Sequence, residues 1–99
     1  ASLKRSALAP DAPTFAEAGF AIEASNWVGL LAPSKTPSTI IDRVSQDMAR
    51  AAQAPDVRER FATAGSEVAS LTPSEFSALI RLDIANFAKV VRAANVKPE

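Results

Sequence analysis

The side chains that most often carry out enzymatic chemistry are scarce in this chain of 99 residues. Histidine, cysteine and tyrosine are absent, which removes the commonest general base, the commonest metal ligand, the phenolic acid and any disulfide or thiolate metal site. Three acidic residues are candidates by type, namely Asp56, Glu59 and Asp83, but each falls on a predicted solvent-facing helix surface, where ordinary surface charge is the norm. No Gly-x-Ser-x-Gly or Ser-x-x-Lys motif and no glycine-rich phosphate loop occurs. The residues therefore predict no enzyme, no cofactor and no metal site.

Three threonines stand where helices are predicted to begin, at positions 14, 36 and 72. The free N–H groups of a helix N-terminus suit a carboxylate ligand, which is the functional interpretation. Each of these helices carries its own capping side chain, however, so we favour a stabilising role for Thr14, Thr36 and Thr72. Glu17 and Glu75 follow two of them at the spacing of a capping box.

The elements that must position these residues begin with an apolar run at 27–32. It is bounded by Asn26 and Pro33, and its length predicts a strand covered on both faces. Gly29 within it predicts that another backbone or side chain passes close by. A second, weaker strand is predicted at 67–71.

Amphipathic spacing predicts three helices in the second part of the chain. The first covers 37–53 and buries Ile40, Ile41, Val44, Met48 and Ala52. The second begins at Pro55 and ends at Gly65. The third follows Thr72, ends at Asn95 and carries its apolar stripe over 76–94. Before the first strand, residues 1–20 are predicted to form a connection with one helical turn from Thr14 to Gly19.

Composition limits the partners of the chain. Eleven basic and eleven acidic residues give a formal charge of zero, so neither a nucleic-acid footprint nor a polybasic membrane patch is present.

Two short strands do not make a self-sufficient sheet. We therefore expect a fragment of a longer protein, with a small core, whose uncovered strand at 27–32 promotes self-association.

Three groups of residues, taken in order, resemble one protein family. They are Pro10-Asp11-x-Pro13-Thr14-x-x-Glu17-x-Gly19, Trp27-x-Gly29-Leu30-x-Ala32-Pro33-x-x-Thr36-Pro37 and Thr72-Pro73-x-Glu75-Phe76. This set is similar to the C-terminal portion of the Bug family, the periplasmic solute-binding receptors of tripartite tricarboxylate transporters. The resemblance implies an α/β fold, specifically the helix-rich C-terminal part of a periplasmic-binding-protein-like lobe, with few strands and about three main helices. It implies that residues 1–24 connect two lobes and that residues 25–99 complete the second lobe.

The resemblance also implies a function and a site. The full-length protein would capture a small organic acid or amino acid in the periplasm and deliver it to membrane transporter subunits, without catalysis. In open α/β sheets ligands lie off the carboxyl ends of strands, which nominates Ser34, Lys35 and Thr36. A strand that returns from the opposite lobe runs antiparallel, so its beginning faces the crevice instead. This second argument, which we prefer, predicts ligand binding by Ser25, Asn26 and Trp27.

Alternatives remain open at this point. Trp27 is alternatively a core residue at the start of a buried strand, and its residue type and position alone favour this interpretation over a wall of a ligand cleft. The chain as a whole is alternatively a self-contained helical module that presents its 76–94 face to a protein partner. An enzyme is the least favoured interpretation, because no catalytic motif accompanies the missing side chains.

Overall fold

Three α-helices make up the regular secondary structure of residues 2–99, which are the residues described in this computed structural model. They are α1 (Ser38–Ala52), α2 (Pro55–Thr63) and α3 (Pro73–Ala93). Each lies within a residue or two of its predicted position, so the three main helices of the predicted fold class are confirmed. Helix α1 packs against both α2 and α3.

The beginning of α3 is stabilised as its sequence predicts. The backbone N–H of Glu75 donates a hydrogen bond of 3.2 Å to Oγ1 of Thr72, and Pro73 occupies the first turn. Helix α1 begins differently. Its N-cap is Pro37, whose carbonyl accepts from the N–H of Ile41 at 3.3 Å, and no side chain caps it. The predicted cap at Thr36 is wrong because Pro37, with an extended ψ of 140°, itself stands outside the helix.

The C-terminal ends of α2 and α3 share one geometry. Gly65 and Asn95 follow these helices with φ of +73° and +52°, in the left-handed region. Beyond Gly65, the N–H of Ser66 donates back to the carbonyl of Phe61 at 2.9 Å, the wide ring of a Schellman motif. The predicted ends at Gly65 and Asn95 are therefore confirmed.

The predicted strands at 27–32 and 67–71 do not form. Residues 20–33 and 66–72 have no regular secondary structure. A strand exists only when its backbone pairs with another, and residues 2–99 place no partner strand beside either segment. The α/β lobe that the sequence predicts is thus not formed by the residues described, which give a helix-rich structure.

The apolar residues of this structure are largely uncovered. Within residues 2–99 no hydrophobic side chain is fully buried. The accessible surface is 8572 Å², against about 5,400 Å² for a compact monomer of this mass. The radius of gyration is 16.6 Å, against about 13 Å for a compact domain of this length. Each helix has at least one half-buried residue, and its remaining residues are exposed.

The partial burial follows two stripes. On α1, Ile41, Ser45, Ala49 and Ala52 are half-buried, whereas the predicted stripe residues Ile40, Val44 and Met48 remain 41–52% exposed. On α3 the half-buried residues lie mostly in its first half, and Ile84 and Phe87 are at least half exposed.

No helix in residues 2–99 has both the length and the apolar character needed to cross a bilayer.

Candidate functional site

Trp27 joins the irregular segment 20–33 to helix α3. Its indole N–H donates a hydrogen bond of 2.5 Å to Oδ2 of Asp83. Its ring also meets the ring of Phe76 edge to face, with centroids 5.1 Å apart and planes at 85°. This arrangement is a favoured one for aromatic pairs. One tryptophan is therefore fixed by two side chains of the same helix face.

Gly29 makes the close approach of these segments possible. Its Cα lies against the ring of Phe76, and an ideal Cβ at this position would stand 2.9 Å from Cε1 of that ring. Real Cβ atoms do not come so near to other heavy atoms, so only glycine fits without displacement of the ring. The predicted close neighbour of Gly29 is thus confirmed, and it is a side chain of α3.

A shallow cavity of about 390 Å³ lies between this segment and α3. Its lining residues are Ser25, Asn26, Trp27, Ile80, Asp83, Ile84 and Phe87. The three residues predicted for ligand binding, which are consecutive in the sequence, thus lie opposite one face of helix α3. Their binding role stays a prediction.

Asp83 lies in a different environment from the one its sequence predicts. We expected a solvent-facing surface charge, but the residue is half-buried and holds Trp27. The sequence contains a signal for this position, because Phe76, Ile80, Asp83 and Phe87 follow one another at spacings of four, three and four. That spacing places all four on one face of α3.

The alternative site residues lie elsewhere. Ser34, Lys35 and Thr36 belong to the turn that precedes α1, in which the N–H of Thr36 donates to the carbonyl of Pro33 at 3.0 Å. None of the three lines the cavity beside α3. The two predicted sets of site residues are therefore separate, and the preferred set is the one that faces a helix.

The other two acidic candidates lie on α2. Asp56 and Glu59 line a shallow depression of about 460 Å³ together with Arg60 and Thr63. All four belong to one helix and no second element faces them, so they make an exposed polar surface rather than an enclosed site. Within residues 2–99 no group of three metal-ligating side chains comes together.

Residues near the N-terminus form a small polar cluster. Thr14 and Glu17 make a complete capping box, in which Thr14 N–H donates to Oε2 of Glu17 at 2.7 Å and Glu17 N–H donates to Oγ1 of Thr14 at 3.1 Å. Arg5 donates from Nε to both oxygens of Glu17 and from Nη1 to the carbonyl of Pro10. The hydrogen bonds from Arg5 and from the Thr14 backbone hold the pKa of Glu17 below its ordinary value. The capping box was predicted, whereas the role of Arg5 was not.

The same N-terminal segment also contacts the connection between α2 and α3. Ser6 donates from its hydroxyl to Oε1 of Glu67 at 3.1 Å, and the N–H of Ala7 donates to the same oxygen at 3.3 Å. Segment 5–17 is thus attached through Glu67 to the helical part.

The cavity beside α3 is thus an open depression lined by polar, aromatic and aliphatic side chains of segment 20–33 and of that helix. Comparison with known proteins identifies the family of this chain. The model of the tripartite tricarboxylate transporter family receptors matches residues 1–96. This chain belongs to that family, as the sequence resemblance indicated.

Three curated relatives carry UPF0065 names. The chain is 32% identical over 94 residues to one from a Pseudomonas species, 31% over 91 residues to one from Bordetella bronchiseptica and 34% over 89 residues to one from Agrobacterium vitis. These matches cover 91%, 90% and 86% of this chain but only 27%, 27% and 26% of the relatives. The chain thus spans about a quarter of their length. No solved structure matches it significantly.

Proposed function

We propose that this chain is part of an extracytoplasmic, periplasmic solute-binding receptor that captures a small carboxylate-bearing solute and delivers it to the membrane subunits of a tripartite transporter. The observation that carries the proposal is the family match over residues 1–96. The members are transport receptors, so the chain acts by binding and not by catalysis. The solute is an organic acid or an amino acid.

Within this receptor, Ser25, Asn26 and Trp27 form part of one wall of the solute cleft. Their shared position at the cavity beside α3 supports this role. Ser25 and Asn26 supply hydroxyl and amide groups for polar contacts, while Trp27 supplies an aromatic surface. Small-molecule sites combine such apolar walls with a few polar groups.

The uncovered apolar surface supports the fold that the family resemblance implies. Residues 1–24 serve as the connector between lobes, and residues 25–99 complete an α/β lobe in which 27–32 pairs with strands supplied by other parts of the receptor. Val28, Leu30 and Leu31 are 97%, 61% and 72% exposed, so this segment has surface available on both sides. Without those strands, a second copy of the chain takes their place and the chain self-associates.

A chimera tests the receptor role. Residues 1–99 replace the matching part of the Bordetella bronchiseptica relative, and binding of dicarboxylates, tricarboxylates and amino acids is measured by calorimetry. We expect the chimera to bind at least one solute with a micromolar dissociation constant. The chain alone binds none at that level, because one wall does not enclose a ligand. A chimera that binds nothing bound by its parent, or a chain that binds tightly alone, contradicts the proposal.

Point variants of the chimera separate the two predicted sets of site residues. Asn26→Ala and Trp27→Ala are each expected to weaken solute binding about tenfold, the loss of one good contact. Ser34→Ala, in the turn before α1, is the matched control and leaves the affinity unchanged. The reverse pattern would assign the site to residues 34–36 instead.

A further inference from the structure

The cavity beside α3 has an unusual electrostatic character for a surface proposed to meet an organic acid. Its one charged lining residue is Asp83, and no lysine or arginine of the described residues lines it. A solute carboxylate placed here would face another negative charge at close range. Like charges repel, and they do so more strongly where partial burial limits screening by water and salt.

The lining suits the opposite charge. Oδ2 of Asp83 accepts from Trp27, and its Oδ1 receives no hydrogen bond from the residues described. A half-buried carboxylate with one free oxygen is a counter-ion for an ammonium group. Trp27 adds an aromatic surface, and among the aromatic side chains tryptophan binds cations most strongly. Phe87, Ile80 and Ile84 add apolar walls for the alkyl part of the solute.

We propose that this cavity takes the positively charged amine of a small solute, with Asp83 as counter-ion and Trp27 as the aromatic wall. The inference rests on the proposed function and narrows it. Of the two solute classes named above, it selects a zwitterionic, amino-acid-like solute over a simple dicarboxylate or tricarboxylate. The carboxylate of that solute binds outside this cavity.

The chain contains its own reporter for this binding. Trp27 is the one tryptophan and tyrosine is absent, so indole fluorescence reports on this position alone. Because the indole N–H is bonded to Asp83, a cation that approaches the carboxylate changes the environment of the fluorophore. A change in emission therefore measures occupation of the cavity.

Three probes of similar shape and different charge test the proposal on the chain itself. Tetramethylammonium, tert-butanol and pivalate are titrated at constant ionic strength while Trp27 emission is recorded. We expect a saturable change with tetramethylammonium, at least threefold tighter than with tert-butanol, and no saturable change with pivalate. Equal responses to all three probes, or saturation by pivalate, would overturn the inference.

Variants at Asp83 assign the selectivity to this residue. Asp83→Asn keeps an acceptor for the indole N–H and removes the charge, so it is expected to weaken tetramethylammonium binding about fivefold without altering the tert-butanol response. Asp83→Glu restores the preference for the cation. Asp56→Asn, on the exposed surface of α2, is the matched control and changes neither the tetramethylammonium nor the tert-butanol response. Helical circular dichroism at 222 nm verifies that each variant keeps its helices.

The outcomes distinguish this inference from the receptor proposal. Tetramethylammonium binding that is the same in the wild type and Asp83→Asn, or weakened equally by Asp56→Asn, overturns the cation site. The receptor role is tested separately by the chimera. Solute binding by the chimera could depend on Asn26 and Trp27 while the chain of 99 residues shows no preference for the cation. That result would overturn the cation site and leave the receptor proposal standing.

Discussion

Gly29 and Phe76 show how a single missing Cβ fixes the relation between two segments. We predict that Gly29→Ala displaces the Phe76 ring and breaks its edge-to-face contact with Trp27, because the added methyl group would overlap that ring. The Phe76 ring is half-buried and can move, so the cost in folding free energy should stay below the about 1–3 kcal/mol of overpacking in a close-packed core. Trp27 emission measures the displacement directly.

Val28→Ala is the matched control for that experiment. Val28 stands directly before Gly29 and its side chain is 97% exposed, so its truncation should leave Trp27 emission unchanged. An unchanged spectrum in Gly29→Ala would mean that the Phe76 ring accommodates the methyl group while it keeps its contact with Trp27, and that Gly29 is not required for that contact.

The charge pair of Arg5 and Glu17 gives a second prediction at the scale of a residue. Because the folded-state pKa of Glu17 lies below the ordinary value of 4.5, the stabilisation from its ionised form is present above about pH 4.5. It is lost as pH falls through the lower, folded-state pKa. NMR titration of the Glu17 side chain is expected to give a pKa below 4.5.

Two variants identify the cause of that shift. Arg5→Gln removes the largest cause and should bring the pKa of Glu17 back toward its ordinary value, while Arg43→Gln, in an ion pair with Asp47 on α1, should leave it unchanged. If Arg5→Gln had no effect, the backbone N–H of Thr14 would account for the shift by itself.

Helix boundaries were predictable from the sequence because they depend on neighbours three to five residues away. The cap at Thr72 and the left-handed residues Gly65 and Asn95 lie where their residue types predict. Thr36 was mispredicted by one position, since an adjacent proline serves as either N-cap or first helical residue. The strand at 27–32 required a partner far away in sequence or in another chain, and local patterns do not supply one.

The sequence predicted which residues form the candidate site, and their role in binding stays a prediction. Ser25, Asn26 and Trp27 were chosen from the topology that the family resemblance implies, and they do lie together beside a helix. Asp83 was assigned to solvent because an acidic residue on a helix is usually exposed. The geometry that makes it a partner of Trp27 depends on where segment 20–33 crosses α3, which no local spacing encodes.

Two of the three predicted threonine caps, Thr72 and Thr36, give a matched experiment at the scale of an element. Thr72→Ala is expected to lower the free energy of unfolding by about 1 kcal/mol, because it removes the acceptor for the N–H of Glu75 at the start of α3. Thr36→Ala should change it by a few tenths at most, since Thr36 caps no helix. Urea denaturation followed by circular dichroism measures both, and an effect of Thr72→Ala as small as that expected for Thr36→Ala would show that the Thr72 hydroxyl does not act as a cap.

At the scale of the whole molecule, the excess of accessible surface is the dominant property. The structure exposes more than 3,000 Å² beyond the amount expected for a compact monomer, taking 8572 Å² against about 5,400 Å². Large hydrophobic residues on segment 28–31 and on the second half of α3 contribute to it. The chain spans about a quarter of its relatives' length, and this exposed apolar surface is available for contacts with further polypeptide.

That surface leads to the prediction that the isolated chain associates with itself. Segment 27–32 offers apolar side chains and an unpaired backbone, and the simplest cover for both is the same segment of a second copy. Sedimentation velocity should show an average mass that rises with concentration. Leu30→Lys or Leu31→Lys should raise the dissociation constant about tenfold or more, because a buried leucine contributes roughly 1.5–3 kcal/mol.

Val96→Lys is the control for those variants, since Val96 is 60% exposed and follows α3, outside segment 27–32. It should leave association unchanged, which separates a specific contact from a general effect of added charge. A chain that stays monomeric at high concentration, with no binding of a hydrophobic dye, would contradict self-association. That result would favour a self-contained helical module, because such a module covers its own apolar residues and needs no second copy of the chain to do so.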